Sequence, residues 1–246
     1  MATLLHAVRF LRNLLLWVIG LFFAITLGSI ITLRFVAPPT TAFIIESTVS
    51  AWLRGDFKWH ADHRFVPYAR ISHYAKLAVI ASEDQKFAVH SGFDFDAIDQ
   101  AVKEREQGKR LRGASTITQQ VAKNLFLWSG PSFVRKGIEV YLTAAIEACW
   151  SKRRILEIYL NIAEFGPGIY GVGAAAPRLF HTDAAALTQT QAALLAAVLP
   201  NPKKLHAERP SAYVARRADA ISEQMTALGG TRYLRILEPN AHNSLQ

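Results

Sequence analysis

Residues 13–33 read NLLLWVIGLFFAITLGSIITL, a run without a charge bounded by Arg12 and Arg34. An α-helix rises about 1.5 Å per residue, so some twenty such residues match the roughly 30 Å hydrocarbon core of a bilayer. The run outlasts the roughly 7–15 apolar residues of a cleavable signal, and Val36-Ala37-Pro38-Pro39 makes a poor cleavage site. The stretch therefore reads as a retained membrane anchor. His6, Arg9 and Arg12 precede it with no acid, whereas after Arg34 the next charge is Glu46. That asymmetry predicts a cytoplasmic N-terminus and an exported remainder. Working outward, the chain divides into a cytoplasmic tail (1–12), a transmembrane helix (13–33), a juxtamembrane segment (34–62), a domain (63–235) and a C-terminal tail (236–246).

The whole chain has 246 residues, enough for an anchor and one domain with a sizeable core. Its net charge of +9 suits anionic headgroups or an anionic lipid-linked substrate, and an exported domain does not meet nucleic acid. Cys149 is the single cysteine, so an intrachain disulfide and a cysteine-based zinc site are excluded. It lies in an apolar helical stretch and is expected in the core. The histidines are scattered without ligand-like spacing, and no metal site is expected. H-E-x-x-H, G-x-S-x-G, P-loop and Ser-x-x-Lys patterns do not occur. Gly166-Pro167-Gly168-Ile169-Tyr170-Gly171 satisfies G-x-G-x-x-G, but it follows a helical pattern and no acid sits about 20 residues on, so it is a turn.

Apolar residues at helical spacing predict helices over Ile71–Phe87, Thr116–Trp128, Arg135–Leu160 with a break near Ser151, and Ala184–Val198 before Pro200. Trp52, Phe57 and Trp59 in the juxtamembrane segment suit an interfacial position. No alternating strand is evident, so the fold class is mainly α.

Three segments carry candidate chemistry. Residues 83–94 read EDQKFAVHSGFD. On a continuous helix Glu83, Phe87 and His90 would share a face, and a carboxyl beside an apolar ring is raised toward the range of a general base. A solvated helix end, with Glu83 and Asp84 pairing Lys86, accounts for the segment equally well. The second segment runs from Gly113 to Gln120 behind Lys109, Arg110 and Arg112. Small residues entering a helix leave N–H groups free for an anion, with Gln119, Gln120 and Lys123 nearby. Thr116 and Gln119 also fit a capping box. In the third, Arg135 and Glu139 are spaced for a surface ion pair, and Glu139 is a possible second carboxylate for glycosyl chemistry.

Taken in order, the strings EDQKFAVHSGFD at Glu83, GASTITQQVAKNLFL at Gly113, RKGIE at Arg135, SKRRILEIYLN at Ser151, FGPGIYGVGAAAPRLF at Phe165 and QAALLAAVLPNP at Gln191 closely resemble family 51 glycosyltransferases, the peptidoglycan transglycosylases. The likeness runs from about residue 66 to 217 and is strongest to monofunctional members of Gram-negative inner membranes. It leaves no room for a transpeptidase domain. It implies a lysozyme-like, two-lobed helical domain behind a single N-terminal transmembrane helix, with the catalytic domain periplasmic. The implied reaction is polymerisation of lipid II, with inversion at the anomeric carbon and release of undecaprenyl pyrophosphate. A lysozyme-like hydrolase is the alternative, but hydrolysis of glycan needs no basic site for pyrophosphate.

Carried over by position, the resemblance makes Glu83 the general base and Glu139 the second catalytic acid group. Ser115, Thr116, Gln119, Gln120 and Lys123 would line the donor site, with Arg135 and Lys136 beside it. No cofactor is required, although a divalent cation such as Mg²⁺ is allowed. The implied partners are lipid II, the growing glycan strand and the bilayer, with other cell-wall synthesis or division proteins left open. Residues 125–133 would form a membrane-facing flap. Here the chain departs from the family, which commonly has arginine where Pro131 stands, and Arg135 is expected to compensate.

Overall fold

The structure is a computed structural model that describes residues 2–107 and 115–237. The expected basic loop of Lys109, Arg110 and Arg112, with Gly113 and Ala114, lies outside the described residues, as does the tail from residue 238. The chain divides near Pro38 into two units, each described by itself.

The first unit is helix α1, Ala2–Leu33. Its segment Arg9–Leu33 is long and apolar enough to cross a membrane. Thr26 and Thr32 turn their hydroxyls back onto Phe22 O and Gly28 O, each at 2.8 Å, which hides those polar groups within the helix.

The second unit contains α2 (Ala42–Leu53), β1 (Asp62–His63), α3 (His73–Glu83), α4 (Phe95–Glu106), α5 (Ile117–Phe126), α6 (Phe133–Cys149), α7 (Lys152–Ile162), β2 (Glu164–Gly166), β3 (Ile169–Tyr170), α8 (Val172–Phe180), α9 (Gln189–Val198) and α10 (Ala212–Ala227). Helices α2–α7, α9 and α10 each begin on Ser, Thr or Asp, whose side chain accepts an N–H of the first turn. Helix α3 packs on α9 and α10, while α5 packs on α6 and α7 and also meets α2. Buried alanines on both surfaces, Ala75 and Ala78 of α3 with Ala192, Ala193 and Ala196 of α9, let those backbones approach closely.

Several boundaries differ from the periodicity. Helix α3 stops at Glu83 because Asp84 is extended (φ −163°, ψ 76°), so Glu83, Phe87 and His90 do not share a helical face. Phe87 is wholly buried instead. The 135–160 run is two helices, with Ser151 capping α7. Helix α9 starts at Gln189 behind the Thr188–Gln191 capping box, not at Ala184. Cys149 is half-buried rather than in the core. A small sheet of order β1-β3-β2 forms where none was expected, with Asp62 opposite Ile169 and Glu164 opposite Tyr170. Gly166-Pro167-Gly168 is indeed a turn, between β2 and β3, with Gly168 at φ 74°.

Asn161 ties this sheet to α7. It is fully buried, accepts Val66 N–H at 2.6 Å and donates to Val66 O and Glu157 O at 2.9 and 2.8 Å. The main chain of Gly171 lies so close that a Cβ there would strike Asn161 O. Asn161→Ala leaves Val66 N–H and Val66 O short of a partner, each costing about 1–3 kcal/mol, while Glu157 O keeps its helical N–H. We expect a loss of roughly 2 kcal/mol or more, read as a lower melting temperature of the full chain in detergent.

Candidate active site

Glu83 ends α3 and reaches toward α5. Its side chain is 15% exposed, and Oε2 accepts from Gln120 Nε2 at 2.8 Å. Gln120 Oε1 in turn accepts from the Tyr159 hydroxyl at 3.1 Å. Burial pushes the Tyr159 phenol well above its usual range, so it stays a donor. A donor on Oε1 fixes the orientation of the amide and leaves Nε2 to serve Glu83. Arg217, from α10, brings Nη2 to 3.9 Å from Glu83 Oε1. Burial raises the Glu83 carboxyl above the ordinary range, and the Gln120 hydrogen bond and the Arg217 charge offset part of that rise.

The adjacent acid belongs to the scaffold. Asp84 is buried, and its Oδ2 accepts from Ile117 N at 3.0 Å, which seats the start of α5 beside Glu83. His90 Nε2 faces both Asp84 oxygens at 2.9 and 3.0 Å, while its Nδ1 accepts from Gly92 N at 3.1 Å. These contacts assign the neutral Nε2–H tautomer. Lys86 pairs with Asp96 at 2.7 Å and Asp94 at 3.8 Å, not with Glu83 or Asp84, which removes the solvated-end account of this segment.

Glu139 is no surface partner. It is 4% exposed, with Arg135 Nη1 at 2.6 Å from one oxygen and Lys136 Nζ at 2.5 Å from the other. Lys123 lies under the influence of both acids. Burial pulls its ammonium below the usual lysine range, Arg135 and Lys136 act in the same direction, and Glu139 and Glu83 oppose them. Among the described residues none forms an ion pair with Lys123, whose Nζ sits 5.5 Å from the centre of the Phe43 ring.

The remaining candidates separate into two groups. Gln120 and Lys123 line a cavity of about 520 Å³ together with Asn124, Tyr159, Ser129 and Tyr170. Thr116 and Gln119 are buried and spent on the capping box, with the Thr116 hydroxyl also donating to Gly92 O at 2.7 Å. Ser115 is exposed ahead of them. Beyond α5, Ser129 N and Oγ both donate to Glu46 of α2, and Arg135 Nε donates to Gly130 O at 2.9 Å, one residue before Pro131. Trp128 of this loop and Phe133 at the start of α6 are exposed. Both oxygens of Glu139 are occupied, and among the described residues no three His, Cys, Asp or Glu side chains gather as a metal would need.

Sequence reasoning missed Arg217, Tyr159, Asn124 and the wall supplied by α2. Tyr159 and Asn124 stand inside strings already quoted, with nothing in their spacing to mark them as cavity residues. Arg217 comes from some 130 residues beyond Glu83, and only the packing of α10 on α3 brings them together. Asn124 Oδ1 and Arg217 Nε are buried without a hydrogen-bond partner among the described residues.

A buried carboxylate with controlled ionisation, bonded to a residue of a cavity that also holds an open cation, is the equipment of a sugar-transferring enzyme. Residues 53–226 match the family model described as transglycosylase, and the chain belongs to that family. It is a glycosyltransferase, and the helical, lysozyme-like fold expected from the resemblance is the one this family has. Among particular relatives, a biosynthetic peptidoglycan transglycosylase of Pseudomonas entomophila is 52% identical over 230 residues, covering 94% of this chain and 95% of its own. Proteins of the same name from Pseudomonas syringae pv. tomato and Escherichia coli O127:H6 are 51% and 53% identical, covering 92% of this chain in each case and 94% and 92% of their own.

The resemblance gives Glu83 the part of a general base, and a base works only when ionised, so activity is expected to fall as pH drops through the raised Glu83 pKa. Arg217 favours the ionised form. Arg217→Ala is therefore expected to move the acid limb of the kcat/KM profile to higher pH while the profile keeps its shape, and an unmoved limb would remove Arg217 from the site.

Proposed function

We propose that this protein polymerises lipid II into β-1,4-linked glycan strands of peptidoglycan. The observation that carries the reading is the nearness of Glu83 and Lys123, each of which feels the other's charge: a carboxylate beside a cation with no ion-pair partner among the described residues. In the proposed step the 4-hydroxyl of the acceptor GlcNAc attacks C1 of the MurNAc at the reducing end of the growing chain. Glu83 takes the hydroxyl proton as the new C1–O bond forms. The bond from C1 to the pyrophosphate breaks on the opposite side, so the α-linkage becomes β and undecaprenyl pyrophosphate departs. Lys123 faces the negative charge that develops on that leaving group, and Arg135 and Lys136 add to the positive field. Glu139 positions these two cations. Hydrolysis would use the same carboxylates but would leave Lys123 without an assignment.

Arg135, already turned toward Gly130, is the candidate to serve where relatives place an arginine at position 131. The reading also puts α1 across the bacterial inner membrane with its N-terminus cytoplasmic, because Arg9 and Arg12 flank that end. A polyprenyl-linked substrate lives in the same bilayer.

The test is incubation of the full chain, in detergent or liposomes, with purified lipid II. Glu83→Gln keeps an oxygen for the Gln120 hydrogen bond but cannot take a proton. Polymer formation should fall by about 10²–10⁴-fold, the usual worth of a general base. Equal polymer from parent and variant would overturn the assignment of Glu83.

A further inference from the structure

We propose that Tyr159 is a positioning residue for Glu83: its hydroxyl proton sets the direction of a hydrogen-bond relay through Gln120 that presents Glu83 with a donor, and so keeps Glu83 ready to take a proton rather than to give one. It rests on the reading of Glu83 as the base and adds the residue that keeps the base in its working form.

The relay runs across helices α7, α5 and α3. The Tyr159 hydroxyl donates to Gln120 Oε1 at 3.1 Å, and Gln120 Nε2 donates to Glu83 Oε2 at 2.8 Å. Each link has a direction, since a hydroxyl or N–H gives and an amide or carboxylate oxygen receives. The same three side chains could carry the opposite direction. A protonated Glu83 would then donate to an Oε1 turned toward it, and Gln120 Nε2 would donate to the Tyr159 oxygen. The first direction belongs to ionised Glu83 and the second to protonated Glu83.

The far end decides between them. In the reversed relay the Tyr159 hydroxyl proton needs another acceptor. Tyr159 is 1% exposed, and among the described residues its hydroxyl makes no hydrogen bond other than the one to Gln120. A buried donor without an acceptor is costly, so the reversed relay is disfavoured. The proton cannot be shed either, because burial and the charges of Glu83 and Asp84 push the phenol well above its usual range. Packing of α7 on α5 keeps the ring in place, and Asn161, two residues on, ties α7 to Val66.

The charges that act on Glu83 are Asp84 beside it, Lys123 of α5 and Arg217 of α10. Helix α9, which also packs on α3, carries no charge. Tyr233, from the 3-10 segment packed on α3, donates to Gln85 O and feels Asp84 instead. None of these groups changes when the Tyr159 hydroxyl is removed. A purely structural account gives that hydroxyl one task, satisfying Gln120 Oε1. Its loss would then lower stability and leave the Glu83 titration where it was.

Tyr159→Phe keeps the ring and removes the hydroxyl, so neither direction of the amide strands a hydroxyl proton. The first readout is the ¹³C-carboxyl titration of Glu83 in the full chain in detergent, which needs no substrate. We expect its midpoint to rise by about one pH unit, a roughly tenfold change in the ionisation equilibrium. The kcat/KM for lipid II should fall about tenfold on the acid side and recover at high pH. In a Gln120→Leu background the same substitution should leave the midpoint where Gln120→Leu alone puts it. In the parent, the side-chain ¹⁵N–H signals of Gln120 should move with the Glu83 midpoint, because that amide donates to the carboxylate. An unmoved midpoint in folded Tyr159→Phe would overturn the proposal, as would an equal rise with and without Gln120. A parent Gln120 amide that ignores the Glu83 titration would overturn it too, even where Tyr159→Phe does not fold. A midpoint that rises as expected in a protein that makes no polymer from lipid II leaves the positioning role standing and removes the lipid II reading.

Discussion

The hydrogen bond from Gln120 to Glu83 is the contact on which the site depends. It crosses from α3 to α5, two helices with different packing partners, and it reaches a carboxylate that burial has removed from most of its water. Burying an ionised carboxylate costs several kcal/mol, while a hydrogen bond to a charged group returns about 1.5–3 kcal/mol. The two do not cancel. Glu83 therefore stays above the ordinary glutamate range, and the distant Arg217 trims the excess without forming a close ion pair. Glu139 makes the contrast. A cation sits on each of its oxygens, so it is fixed in place.

The short helix α5 distributes the work around its circumference. Thr116 and Gln119 close the cap and face inward, while Asp84 receives the first N–H of the helix. Gln120, Lys123 and Asn124 then present amide, ammonium and amide to the cavity. Anchoring the start of the helix to the residue next to Glu83 sets the distance between Glu83 and Gln120. The neutral His90, wedged between Asp84 and Gly92, completes that anchor, and in this way the string EDQKFAVHSG reads as one structural unit rather than a helical face.

Much of this was legible in the chain. The charge-free run at 13–33 marked α1, a capping box marked the start of α5, a break near Ser151 marked the boundary of α7, and the order of motifs brought Glu83, Gln120, Lys123 and Glu139 forward as candidates. What escaped did so for physical reasons. Helical periodicity carried α3 past Glu83, because it cannot register an extended residue such as Asp84. Two- and three-residue strands are too short to display alternation, so the sheet around Asn161 left no trace. The i, i+4 spacing of Arg135 and Glu139 suited a surface pair, and only the packing of α6 on α5 reveals its burial. The segment at 34–62 looked like a connector, yet α2 and Trp59 form walls of the cavity, since lining a cleft has no one-dimensional signature.

The central claim is that Glu83 is a buried carboxyl held above its usual range yet still ionisable. A ¹³C-carboxyl NMR titration of glutamate-labelled protein tests this most directly, with Glu83→Gln used to assign the resonance. The account predicts a titrating signal, absent from the variant, with its midpoint above the 4.5 of an ordinary glutamate. A midpoint at or below 4.5 would contradict it.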